Sequence, residues 1–249
     1  MQETEIKYLA GLLDADGTLN YKISHGYLYL RMSISASESI DKNHYIPSLA
    51  NKFGIVYKRE FSKEKPTWSD AYVWEVSREN DLNILLPRIT KHMVIKGKIW
   101  REMYDTWLAS KGKKINDIPV IKSKYGPIKP KKHPTWAWVA GYLDGDGCYF
   151  LSKKFRRVTV QCHIKERQGV DLLYKAFGGY FTKRSNQPHL ITWVRNLGSK
   201  DRSFALDFLA KMARHTHLKK WKIEQLISYL HNNGLQRLNK NPSTEEVIV

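Results

Sequence analysis

Ile6, Leu9, Ala10 and Leu13 recur at helical spacing and predict a helix over roughly residues 3–14. The period then changes from about 3.6 to two. Leu28, Leu30, Met32 and Ile34 alternate with Tyr29, Arg31, Ser33 and Ser35, which predicts a strand with one apolar face and one polar face. The alternation returns later, with Val158, Val160, Cys162 and Ile164 on one face and Arg157, Thr159, Gln161, His163 and Lys165 on the other. After each strand comes a helix-like stretch, residues 45–53 and 169–177, that runs into Gly54 or Gly178-Gly179. Glycine at this place ends helices by taking left-handed backbone. Two further strands follow in each half, about 55–61 with 71–77 and 180–184 with 189–195. Tyr72, Trp74 and Val76 alternate there as either core or stacking residues, and core is the commoner meaning of such a pattern. Helix-like segments 99–108 and 223–230 close the halves. The order helix, strands, helix, strands, helix, met twice, predicts an α+β fold.

The halves echo each other in detail. Leu9-Ala10-Gly11-Leu12-Leu13-Asp14-Ala15-Asp16-Gly17 returns as Val139-Ala140-Gly141-Tyr142-Leu143-Asp144-Gly145-Asp146-Gly147, 130 positions later. His92-Met93-Val94-Ile95-Lys96 returns as His215-Thr216-His217-Leu218-Lys219 at an offset of 123. Two echoes in the same order imply duplicated domains, expected over residues 1–112 and 133–235, with a linker over 113–132 and a polar tail over 236–249. Residues 111–133 hold eight lysines and one aspartate, with prolines at 119, 127 and 130, and read as an extended basic connection. Gly11 with Ala15, and Gly141 with Gly145, stand four apart on their helices. Residues so spaced share a face, so each helix carries a strip of small residues that lets another backbone come close.

Charge narrows the partner. The 249 residues include 42 Lys+Arg against 24 Asp+Glu, a formal charge of +18, which points to a polyanion. With 42% hydrophobic residues there is apolar mass for two cores. The apolar runs are too short to span a bilayer, and residues 1–7 lack the basic and apolar regions of a secretory signal. The expectation is an intracellular protein with no membrane partner. Cys148 and Cys162 are too few for a disulfide framework and lack zinc-site spacing, so both are expected to be reduced.

Against this basic background the repeated acids stand out. Asp16 and Asp146 fall at the carboxyl ends of their helices, where the macrodipole already disfavours an anion. Two such ends side by side repel further, and a divalent cation with oxygen ligands, Mg²⁺ by preference, would relieve that repulsion. The carbonyls of Ala15 and Gly145, freed at the helix ends, are further candidate ligands. Most Asp-Gly pairs merely shape a turn. Two copies, each closing an apolar small-residue helix, favour the metal.

Both nine-residue segments resemble the signature of the LAGLIDADG homing endonucleases, in the single-chain form that carries two copies. Leu12-Leu13 replaces the Leu-Ile of the family name, Val139, Tyr142, Leu143 and Gly145 are ordinary variants, and neither copy loses its terminal acid. The resemblance implies a monomer of two pseudo-symmetric α-β-β-α-β-β-α domains. Their signature helices would pack at the domain interface, and their saddle-shaped antiparallel sheets would lie in the major grooves of a long double-stranded DNA site. It implies that Asp16 and Asp146 bind catalytic Mg²⁺, with Mn²⁺ or Ca²⁺ able to substitute in binding. It also implies that a lysine ahead of each last helix, here Lys96 and Lys219, tunes the attacking water or the scissile phosphate. A polar residue near the end of the second strand belongs to the family's water network. Glu38 fits in the first half, while Gln161, His163 and Glu166 compete in the second.

DNA specificity would then come from Tyr29, Arg31, Ser33, Ser35 and Arg59 in one half and from Arg157, Thr159, Gln161, His163, Thr182 and Arg184 in the other. Arginine and glutamine read guanine and adenine by paired hydrogen bonds in the major groove. Since the two sets differ, the target should be long and imperfectly palindromic. The alternative on the same scaffold is an intron RNA maturase or a DNA-binding regulator that does not cut, and the intact acid pair argues against it. The host would be a bacterial or phage cytoplasm or an organelle.

Overall fold

The computed structural model describes residues 1–60, 69–113, 121–129, 133–152, 157–164, 167–184, 187–197 and 202–232. The first half runs α1 (Glu3–Asp16), β1 (Thr18–Ser24), β2 (Tyr27–Ser37), α2 (Tyr45–Leu49), β3 (Ile55–Arg59), β4 (Ala71–Val76), α3 (Glu79–Thr90) and α4 (Gly97–Ala109). The second repeats it as α5 (Trp136–Asp146), β5 (Gly147–Ser152), β6 (Arg157–Ile164), α6 (Arg167–Phe177), β7 (Tyr180–Arg184), β8 (Gln187–Leu197), α7 (Arg202–Ala213) and α8 (Lys220–Asn232). Both sheets are antiparallel, in the orders β1-β2-β4-β3 and β5-β6-β8-β7. Identical strand order in two sheets is the structural form of the sequence repeat.

Each half carries one helix beyond the expected order. Leu82, Leu85, Leu86 and Ile89 bury one face of α3, and Ala205, Phe208, Leu209 and Met212 bury one face of α7. The echo segments 92–96 and 215–219 are therefore turns between two helices, not approaches to a single last helix.

The strand faces fall as the alternation predicts. Leu28, Leu30, Met32 and Ile34 are buried, as are Val158, Val160 and Cys162. Trp74 and Val76 are fully buried core residues, and Tyr72 is half-buried at the margin with its ring against His44. Lys165 and Glu166, and the side chain of Ile164, lie outside the described residues.

The halves meet along α1 and α5. A Cβ on Gly11 would overlap the carbonyl oxygen of Trp138, and one on Gly141 would overlap that of Tyr8. Only hydrogen at these two positions allows so close a backbone approach. The linker also has structure where it is described. The amides of Lys122 and Ser123 each donate to the Glu102 carboxylate at 2.8 Å, and the Gly126 carbonyl accepts from the Lys98 amide at 3.0 Å. Residues 121–129 thus dock on α4 instead of running free, while residues 114–120 and 130–132 lie outside the described part.

Candidate active site

α1 and α5 end at the last acid of each signature, and Gly17 and Gly147 carry the chain in extended backbone straight into β1 and β5. Because the helices pack through their small-residue faces, the two ends arrive together. An added Cβ on Gly145 would lie 3.0 Å from Asp16 Oδ2 and would overlap the Cβ of Ala15, so the Asp16 carboxylate stands against the last turn of the opposite helix. Asp16 is exposed on its outer side and Asp146 is half-buried. Protein crowding of the Asp16 carboxylate raises its pKa, and the charges of Lys219 and then Lys96 pull it back. An anion that its surroundings disfavour, beside a second acid, is a fitting donor for a divalent cation.

Among the described residues no group of three or more His, Cys, Asp or Glu side chains forms a metal cage. Two carboxylates suit Mg²⁺, which dehydrates reluctantly and is usually held by one or two carboxylates plus water and phosphate oxygens. The carbonyls fit less well. Ala15 O already accepts from Lys96 Nζ at 3.0 Å, and Gly145 O accepts from Lys219 Nζ at 3.1 Å. A metal on either oxygen would have an ammonium as its neighbour.

Each lysine does the same thing in its own half. Lys96 Nζ donates to the carbonyls of Leu13, Ala15 and Gly17 at 3.1, 3.0 and 2.9 Å. Lys219 Nζ donates to those of Leu143, Gly145 and Gly147. These carbonyls cluster at the carboxyl end of each helix, where a cation is favoured, and those of Leu13 and Leu143 also accept from the Gly17 and Gly147 amides.

The first acid of each signature holds the lysine turn. The buried Asp14 carboxylate accepts from the amides of Val94 (2.6 Å), Ile95 (3.2 Å) and Lys96 (2.8 Å) and from Trp138 Nε1 (2.9 Å). Burial raises its pKa, and those same donors oppose the rise. Asp144 accepts from the amides of His217 (2.9 Å), Leu218 (3.0 Å) and Lys219 (3.3 Å), and from the hydroxyls of Thr216 and Tyr8. The sequence reading passed over both residues. The available signal was that the two echoes occur together, an acid in one and a turn in the other.

Comparison with known proteins separates sequence from fold. No family model matches the sequence, and no curated protein matches it significantly. Solved structures match along nearly the whole chain. The meganuclease I-SmaMI bound to uncleaveable DNA aligns over 92% of this chain and 90% of its own, with a TM-score of 0.64 and 14% identity. The LAGLIDADG homing endonuclease I-GzeII in complex with its DNA target aligns over 93% of each chain, at 0.62 and 13%. The LAGLIDADG meganuclease I-AabMI bound to uncleaved DNA aligns over 91% of this chain and 98% of its own, at 0.56 and 14%. This chain has the two-domain LAGLIDADG fold. A further I-SmaMI structure, at 0.51 and 14%, was determined in the presence of calcium ions.

Within the LAGLIDADG fold, the polar sheet faces flank the helix ends. Tyr29 and Ser35 are exposed, Ser33 is half-buried with its hydroxyl 2.8 Å from that of Thr18, and Arg31 pairs with Glu75 at 3.3 Å. Arg59 and Thr182 are exposed, and Arg157, Gln161 and His163 are half-buried. Gln161 pairs with Cys148 in register, one step from Gly147, which puts it beside the end of α5 as Ser33 is beside the end of α1. The side chain of Arg184 lies outside the described residues.

Two expectations need correction. Thr159 is on the polar face but buried, with its hydroxyl bonded to Asn196 at 2.8 Å, so it braces the sheet surface instead of projecting from it. Glu38 lies one residue past the end of β2, with its carboxylate at the surface. Its partners are Lys58, at 3.0 Å, and Tyr72, and neither signature acid is among them. Register also brings residues to the polar face that alternation in one strand could not reveal. Asn20 and Lys22 stand beside Arg31 and Tyr29, Tyr57 beside Val73, and Thr192 beside His163, bonded to its ring at 2.7 Å.

Proposed function

We propose that the protein is a site-specific DNA endonuclease. It hydrolyses both strands of a long, imperfectly palindromic target, using divalent ions, Mg²⁺ foremost, held by Asp16 and Asp146. The observation that carries this reading is the Asp16 carboxylate standing against Gly145, which brings two acidic helix ends to one place between two polar sheets. The likeness to structures bound to DNA supports it. The metal, when bound, lowers the pKa of its water and offsets charge on the phosphodiester. The chain's own residues do the rest. Tyr29, Arg31, Gln161 and His163 hold the duplex by its bases, and other basic residues of a chain whose net charge is +18 hold it by its phosphates. Lys96 and Lys219 keep positive charge behind the acids.

The polar faces of the two sheets differ residue by residue, which is the reason for a target whose halves are unequal. The test is to select a cleaved sequence from a randomised duplex library with Mg²⁺, then compare the wild type with Asp16→Asn. The variant should bind the selected duplex and fail to cut it. Cutting at the wild-type rate would overturn the metal assignment. Tight binding to a structured RNA, with no duplex cut, would overturn the endonuclease reading in favour of a maturase.

A further inference from the structure

An ammonium has three N–H donors. In each half all three point at carbonyls of the last turn of one signature helix and of the glycine after it: Leu13, Ala15 and Gly17 for Lys96, and Leu143, Gly145 and Gly147 for Lys219. A lysine so placed has no N–H left for a phosphate oxygen. It acts instead as a fixed positive charge at the helix end, directly behind the last acid. Its position is set from the other side of the same helix. The first acid gathers three successive backbone amides, 94–96 on Asp14 and 217–219 on Asp144, and the lysine is the last residue of each set. Helix end and lysine turn are thereby clasped in both directions, carboxylate to amides and ammonium to carbonyls.

The clasp also crosses the domain interface. Trp138 of α5 donates to Asp14, and Tyr8 of α1 donates to Asp144 at 2.7 Å. Tyr8 and Trp138 are 130 positions apart, the same offset as the signatures, so the donors are duplicated along with the acids they serve.

We propose that Asp14 and Asp144 are positioning residues of the nuclease centre. Each builds the turn that threads a lysine into the carboxyl end of its own signature helix, and so sets the charge and place of Asp16 and Asp146. Trp138 and Tyr8 hold the two positioning acids from the opposite domain. This assignment rests on the endonuclease reading above. It gives the first acid of each signature a share in the rate without contact with DNA, smaller than that of the last acid.

The experiment uses the full chain, the selected duplex with each strand end-labelled separately, and Mg²⁺. Cleavage rates for the two strands are measured for Asp14→Asn, Asp144→Asn, Trp138→Phe and Tyr8→Phe, together with duplex affinity and melting temperature. Loss of a residue that orients a metal centre from behind typically costs ~10–100-fold. Each Asn variant should therefore slow one strand about tenfold more than the other, the two variants favouring opposite strands, with affinity nearly unchanged. Trp138→Phe should shift the strand ratio in the same direction as Asp14→Asn, and Tyr8→Phe in the same direction as Asp144→Asn, both less strongly. These two keep the carboxylates and their amide donors, so they test the assignment even if an Asn variant does not fold. Equal slowing of both strands by all four variants, in step with lowered melting temperature, would overturn it and leave a purely structural clasp. A wild type that binds duplex DNA but yields no cleaved sequence in the selection would overturn the endonuclease reading itself, a separate and recognisable result.

Discussion

The lysine turns of the two halves have the same hydrogen-bonded plan and different surroundings. In the N-terminal half the turn ahead of α4 is covered by the linker, where Gly126 bonds both Ile95 and Lys98. In the C-terminal half the turn ahead of α8 is covered by the loop leading into α2. Asn43 donates to the His217 carbonyl at 3.2 Å, Trp221 donates to that of Ile40 at 3.3 Å, and Lys42 lies 3.9 Å over the Trp221 ring. Tyr45 stacks on His217 at 4.3 Å. The residues that make the clasp correspond across the halves, and those that pack on its outside do not. After duplication, the backbone-directed bonds restrict which residues fit, whereas the outer packing has many apolar and polar solutions. Three positions carry the contrast: Met93 against Thr216, Val94 against His217, and Ile99 against Lys222.

Thr216 should give the largest effect. It is buried, and its hydroxyl donates to Asp144, a bond for which Met93 offers Asp14 no equivalent. Thr216→Val keeps the shape and removes the donor. A hydrogen bond to a charged group contributes ~1.5–3 kcal/mol, and urea unfolding should show a loss of that size. A loss below ~0.5 kcal/mol would mean that the two clasps are energetically equivalent despite the extra donor.

His217 should make the C-terminal half the more acid-sensitive of the two. Burial lowers its pKa, the charges of Asp144 and Glu5 act to raise it, and those of Lys220 and Lys52 lower it further. The unfolded chain holds its histidines near ~6.5, so as pH falls through that value the unfolded state takes the proton more readily. Stability contributed by neutral His217 is therefore complete above ~6.5 and declines as pH drops toward the lower folded value. His217→Val copies Val94 and should flatten the dependence of Tm on pH over roughly 5.5 to 7. Some slope will remain, because burial also lowers the pKa of His215. An unchanged slope would assign the acid sensitivity elsewhere.

Sequence pattern reached some of these features and could not reach others. The duplicated signatures and the alternating faces of β2 and β6 were legible because helix and strand periods are local. The small-residue strips announced the α1–α5 contact because only close packing needs Gly11 and Gly141 where they are. The roles of Asp14 and Asp144 were not legible, since their partners are backbone amides some 80 and 73 residues away and an amide leaves no mark in side-chain identity. Glu38 was misplaced for a different reason. Counting along the chain fixes distance from a landmark and not where the strand stops, and Glu38 falls one residue past β2, paired with Lys58. Asn20 and Thr192 required strand register, which no single strand's pattern contains.

Lys222 carries the smallest expected effect. It follows Lys219 by one turn of α8, is half-buried, and has its pKa lowered by burial and by Lys219 and Lys42, with Cys148 acting the other way. Cys148 pairs with Gln161 on the polar face, so this cation stands beside the C-terminal end of the proposed DNA surface. Its N-terminal counterpart, Ile99, packs against the core instead. If Lys222 meets a phosphate, the C-terminal half neutralises one more DNA charge than the other. Each phosphate contact contributes ~0.9 to the slope of log affinity against log salt on duplex DNA. Lys222→Ile should therefore lower that slope by about one, with the sequence preference unchanged, because a phosphate contact positions the duplex without reading it. An unaltered slope would place Lys222 outside the DNA contact.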